Sequence, residues 1–140
     1  MDWGVQLGRG FRSLKLWFII RSFGVEGLAS RLREHCRLAR EFAAWIDADK
    51  DFELIAPVPF SVVCFRVHPK WMSDESKLEQ INTQILEHIN STGELFLSHT
   101  KLNGRYIIRI AIGNIATTEK QIKRVWEIVK SDAERLLWGR

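Results

Sequence analysis

Chemistry in a protein needs side chains that can bind, donate or attack, and this sequence offers few arranged at useful spacings. Cys64 and His68 stand four apart. On a strand that separation spans about 13 Å at roughly 3.3 Å per residue, too far for one ion held at about 2 Å by each ligand. His35 and Cys36 are helix neighbours that point about 100° apart, and His88 and His99 have no carboxylate or thiol at ligand spacing. No metal site is expected. Gly8-Arg9-Gly10 lacks a third glycine at position 13 and no strand precedes it, so it is not a dinucleotide-binding turn. Arg9-Gly10-Phe11 does not continue into an RNA-binding signature, and no serine sits in a nucleophile elbow.

Arg109 is different. Within Tyr106-Ile107-Ile108-Arg109-Ile110-Ala111-Ile112 it is the one charge in an otherwise apolar run, and a guanidinium enclosed in such a strand costs free energy unless an anion meets it. The chemistry it could do is to receive a carboxylate or phosphate. The alternatives are a strand whose second face is solvated, or a structural pair with an Asp or Glu.

The elements that would position these residues follow from periodicity. Leu14, Trp17, Phe18 and Arg21 repeat at helical spacing, and Gly24 with Gly27 interrupts them. From Leu28 the positions Leu32, Cys36, Ala39, Phe42 and Ile46 form one stripe down a helix of about five turns, its arginines mostly off the stripe. The period then changes to two: Phe52 to Ala56 and Ser61 to Val67 predict a pair of strands, separated by Pro57 and Pro59. Leu78, Ile81, Ile85 and Ile89 restore a helix, with Ser76 and Glu79 as a capping box and Gly93 past its end. Leu95 to Leu102 and Arg105 to Ile112 predict strands joined by Asn103-Gly104, a pair suited to a type I′ hairpin. Thr118 and Gln121 predict the cap of a last helix, whose stripe runs from Ile122 to Leu136. The order is an α+β layout: a small antiparallel sheet of about four strands with helices on one face, preceded by a long helix.

Composition limits the rest. With 46% hydrophobic and 27% charged residues the 140-residue chain is globular. The apolar run Leu16 to Ile20 is far too short to cross a bilayer, so no membrane partner and a cytoplasmic location are expected. Cys36 and Cys64 provide no disulfide framework and read as packing residues. The net charge of +4 lies entirely in residues 1–46, which hold eight Lys/Arg against four Asp/Glu. The common meaning of such a bias is a helix with a solvated, arginine-rich face rather than a nucleic-acid site.

Four stretches together resemble one family: residues 2–28 (DWGVQLGRGFRSLKLWFIIRSFGVEGL), 52–67 (FELIAPVPFSVVCFRV), 85–114 (ILEHINSTGELFLSHTKLNGRYIIRIAIGN) and the closing VWEIVKSDAERL. They look like the C-terminal part of group II pyridoxal-phosphate-dependent amino-acid decarboxylases, which include the aromatic amino acid, histidine and glutamate decarboxylases. The resemblance covers about residues 2–137. It implies that residues 1–24 are an interdomain segment and helix following a large cofactor-binding domain, with which the apolar run would pack, and that residues 25–140 are the C-terminal small domain of a fold-type I enzyme.

It also implies that the cofactor lysine and the other cofactor-binding and catalytic residues belong to that large domain, so that none lies in this chain and the chain alone would be inactive. Pyridoxal phosphate would be the cofactor of the full-length enzyme, a homodimer acting on an amino acid. Gly8 matches a position lining the substrate pocket, usually Gly in aromatic-type members and Ser in histidine-type ones. Arg9 matches the first of two adjacent arginines, the second being replaced here by Gly10. Arg109 matches the arginine that meets the substrate α-carboxylate in glutamate-type members. His99 and Thr100 also match the family, without a role. A reading from another class is a free-standing interaction module that uses the basic N-terminal third or an exposed apolar face.

Overall fold

A computed structural model describes residues 11–139, the side chain of Arg12 excepted. The elements are α1 (Arg12–Ala48), β1 (Phe52–Leu54), β2 (Val62–Val67), α2 (Glu75–Ser91), β3 (Ser98–Leu102), β4 (Arg105–Ala111) and α3 (Glu119–Trp138). The described residues fall into two compact units that divide between Leu32 and Arg33.

In the first unit the expected break occurs at Gly24, which leaves the helical region at φ 65°, ψ 177°. That conformation is open essentially to glycine alone. Gly27, the other expected breaker, is helical. Trp17, Phe18, Ile19 and Ile20 are all exposed along this stretch, with Arg21 over the Trp17 ring at 5.9 Å.

The second unit is built on a four-stranded antiparallel sheet in the order β1-β2-β4-β3. Asn103 and Gly104 both take positive φ (52° and 78°), which turns β3 tightly into β4 as the Asn-Gly pair predicts. Alternate residues of the central strands, Val63, Phe65 and Val67 with Tyr106, Ile108 and Ile110, join one apolar core with Leu38, Phe42 and Ile46 of α1. Ile85 and Ile89 of α2 and Ile122 and Val129 of α3 complete it. The α+β layout with helices on one face of the sheet is therefore the fold observed.

Two asparagines of α2 finish what the ladders leave open. Asn82, fully buried, accepts from the Val67 N–H at 2.8 Å and donates to the Val67 carbonyl at 3.0 Å. Asn90 does the same for Leu97, accepting at 2.9 Å and donating at 3.0 Å. This is why β3 begins at Ser98 instead of Leu95: the backbone groups of Leu97 are already taken. The cap of α2 also differs from expectation. Asp74, extended at φ −77° and ψ 103°, accepts from the N–H groups of Ser76 (3.0 Å) and Lys77 (3.3 Å), so the helix starts before the predicted Ser76 cap. At α3 the Gln121 side chain reaches back to the Thr118 N–H at 3.0 Å, as predicted.

Candidate functional site

The sheet face away from the helices carries the charged residues of the central strands. Register sets them in rows: Arg109 lies between Cys64 of β2 and Ser98 of β3, and Arg66 lies beside Glu53 of β1. Residues paired across antiparallel strands project to the same face.

Arg66 is 2% exposed and is the largest fully buried side chain. Its guanidinium donates to Glu53 at 2.8 Å and to Glu75 at 2.7 Å. Burial pulls its pKa down and the hydrogen bonds to Glu75 and Glu53 outweigh that, leaving it raised. The Arg66 hydrogen bond in turn holds the Glu75 carboxyl below the usual carboxylate range. Glu53 also has His68 at 3.2 Å and Arg105 at 4.0 Å. Sequence reading missed this cluster, although an arginine inside Val-Val-Cys-Phe-Arg-Val was the same kind of signal as Arg109.

Arg109 has the opposite environment. In β4 the residues Tyr106, Ile107, Ile108 and Ile110 are buried while Arg109 and Ala111 are exposed. The strand is thus not apolar and enclosed on both faces at this point, which corrects the premise that Arg109 needs an internal anion. No carboxylate of the described residues is in ion-pair contact with it. Its row neighbours are uncharged: Cys64 is half-buried and free, and the Ser98 hydroxyl is 3.4 Å from the Arg109 carbonyl. A planar, permanently charged fork on a solvated sheet face, with its neighbouring cations already paired, is a ready receptor for an external carboxylate.

The other candidates fall elsewhere. Gly8 and Arg9, with Gly10, lie outside the described residues. No group of three or more ligand-type side chains that could hold a metal occurs among the described residues. His99 stacks on Tyr106, centroids 4.9 Å apart. His88 meets Asp132 at 2.7 Å, a pair that bridges α2 and α3 over 44 residues and has no signature at local spacing. Among the described residues no helix is long and apolar enough to cross a membrane.

A pyridoxal-type cofactor needs a lysine whose amine can be freed of its proton in a recess. Lys130 borders a groove of about 640 Å³, but its Nζ bonds Asp49 at 2.8 Å, and that hydrogen bond raises its pKa. The amine is thereby held as an ammonium, so the groove does not fit the cofactor.

The conserved domain of the pyridoxal-dependent decarboxylases matches residues 1–68. Phenylacetaldehyde synthase from Arabidopsis thaliana is 44% identical over 97% of this chain and 28% of its own length. Tyrosine decarboxylase 3 from Petroselinum crispum is 42% identical over 97% of this chain and 27% of its own length. Among solved structures, Catharanthus roseus tryptophan decarboxylase in complex with L-tryptophan superposes with a TM-score of 0.81 at 40% identity, over 92% of this chain and 26% of that one. Oryza sativa TDC with pyridoxal phosphate and tryptamine gives 0.85 at 31%, over 94% and 28%. The chain spans little more than a quarter of the length of the curated relatives it matches. In sequence and in fold it belongs with the group II pyridoxal-phosphate-dependent amino-acid decarboxylases, of which it matches a fragment.

Proposed function

We propose that the chain serves as the C-terminal domain of a pyridoxal-phosphate-dependent carboxy-lyase for an aromatic L-amino acid, and that Arg109 receives the α-carboxylate of the substrate. The observation that carries this reading is the open, uncompensated guanidinium of Arg109 on a sheet face where Arg66 and Arg105 both have carboxylate partners. A carboxylate docked on that fork gains charge-assisted, bidentate hydrogen bonds. Once carbon dioxide has left, the amine product has no group for Arg109 to hold.

Residues 1–24 then form the link from a cofactor-binding domain, Gly8 and Arg9 border the substrate pocket, and residues 25–140 form the small domain. Gly8 favours a bulky aryl substrate. The cofactor-binding residues belong to the missing domain, so the chain alone is inactive, and the full-length protein is a cytoplasmic homodimer. The curated relatives include both a decarboxylase and an aldehyde synthase, and the product, amine or aldehyde, distinguishes these chemistries.

The test is Arg109→Met in the full-length polypeptide. Loss of a charged, bidentate contact worth about 2 kcal/mol raises the KM for the amino acid by roughly 30-fold. The inhibition constant of the amine product stays unchanged. Equal weakening of amino acid and amine, or of neither, would refute the role.

A second reading, a non-catalytic interaction module, draws on the exposure of Trp17 (53%), Phe18 (54%) and Ile20 (45%). A monodisperse native chain of this length, with a defined partner, would favour it.

A further inference from the structure

One row of α3 has residues at four-residue intervals, Trp126, Lys130, Glu134 and Trp138, and side chains at that spacing stack along one helix face. The first two have partners outside α3. The Trp126 ring lies 4.9 Å from Phe52, and Lys130 meets Asp49. The last two do not follow that pattern. Glu134 is exposed, and no cationic group of the described residues is in ion-pair contact with it. Trp138 is 49% exposed and leans on Trp71, itself 58% exposed, with ring centroids 5.6 Å apart and planes inclined by 54°.

Trp138 and Glu134 line the groove of about 640 Å³, and Ala133 and Leu137 supply its apolar wall. Its carboxylates Asp49, Asp51 and Glu134 outnumber Lys50 and Lys130 by one, in a chain whose net charge is +4. The negative field acts on Lys130, whose pKa is raised first by Asp49 and further by Glu134 and Asp51. The Trp138 indole, leaning on Trp71, and the exposed Glu134 carboxylate on the same helix face make a receptor for an organic cation. The rings attract it through their π faces, the carboxylate bonds its N–H groups, and the apolar wall takes its hydrocarbon body.

We propose that this groove binds an arylalkylammonium ion, its ammonium held by Glu134 against Trp138, which Trp71 backs, and its apolar body lying over Leu137. The choice of an aryl amine rests on the function proposed above, since that is what loss of carbon dioxide from an aromatic amino acid leaves; the cation site itself rests on the groove. The amino acid is discriminated against because its carboxylate would face Asp51 and Glu134. The site is separate from Arg109 and its row of neighbours, so an amine could occupy it while an amino acid is held at Arg109.

The test uses the chain labelled with nitrogen-15 and 2-phenylethylammonium as the probe, read at the tryptophan indole N–H resonances. The expected result is saturable shifts of the Trp71 and Trp138 signals with a dissociation constant of about 1 mM. Zwitterionic phenylalanine should bind at least about tenfold more weakly. Glu134→Gln and Trp138→Leu, both at exposed positions, should each weaken the probe by about fivefold without changing the melting temperature. No saturable shift up to about 20 mM probe, equal binding of phenylalanine, or undiminished binding to Glu134→Gln would overturn the proposal. A failed Arg109→Met test would leave these titrations unmoved, so the two ideas fail separately.

Discussion

Replacing Asn82 by leucine keeps the branched heavy-atom skeleton of a fully buried side chain and removes its hydrogen bonds. The β2–β4 pairing runs only as far as Phe65 and Ile108, and Asn82 serves Val67 beyond it, at 2.8 Å for the N–H and 3.0 Å for the carbonyl. Asn82 also donates to Leu78 at 2.8 Å. Val67 is fully buried, so both of its backbone groups would be left without a partner and away from water. At about 1 to 3 kcal/mol for each orphaned group, less whatever strand adjustment recovers, the expected loss is about 3 kcal/mol. For a chain of this size that is a fall of about 10 °C in Tm. Urea denaturation followed by far-ultraviolet circular dichroism measures it, with the m-value unchanged if the native fold persists. A loss below about 1 kcal/mol would mean that the strand ends do not depend on these bonds.

The single tyrosine of the sequence allows a direct titration. Burial pushes the Tyr106 hydroxyl above its ordinary value of 10.0, so the folded state favours the protonated form, and stability should be lost as pH rises from 10.0 through the folded pKa. Ultraviolet difference absorbance should show a midpoint above 10.0, and Tyr106→Phe should remove this part of the alkaline loss; a midpoint at or below the ordinary value contradicts it. At the hairpin, Gly104 sits at φ 78°, and Gly104→Ala should cost about 1 kcal/mol with Gly104→Asn costing less; equal denaturation midpoints for both would contradict that. The exposed residues Trp17, Phe18 and Ile20 should drive self-association of the isolated chain, and a Trp17→Ser, Phe18→Ser double variant should sediment closer to a monomer. A wild-type chain that stays monomeric at high concentration would contradict it.

What was readable in the sequence was what local chemistry decides. Asn103-Gly104 requires two positive φ angles, Thr118 and Gln121 meet within one turn, and Gly24 alone tolerates its backbone conformation; each appears as read. Contacts between distant residues were not readable. Asn82 and Asn90 look like ordinary polar positions of a helix, yet one bonds Val67 at the end of β2 and the other Leu97 just before β3, and so each helps set where regular pairing stops. Asp74 displaced Ser76 as the cap because an extended carboxylate two residues earlier reaches the first free N–H groups. Arg66 and Arg109 look alike in sequence, an arginine among apolar strand residues. Only the third dimension gives Arg66 two carboxylates and leaves Arg109 open. The family resemblance was legible because it rests on long stretches of sequence, whereas the roles proposed for Gly8, Arg9 and Arg109 involve a substrate and cofactor that the fold of this chain does not display.

The most direct test of the central claim is the intact mass of the native polypeptide in its source cells, with the absorbance spectrum of the purified species. The expected product has the length of the curated relatives and carries the visible absorbance of bound pyridoxal phosphate. A native product of 140 residues, without that absorbance and with a defined binding partner, would contradict it.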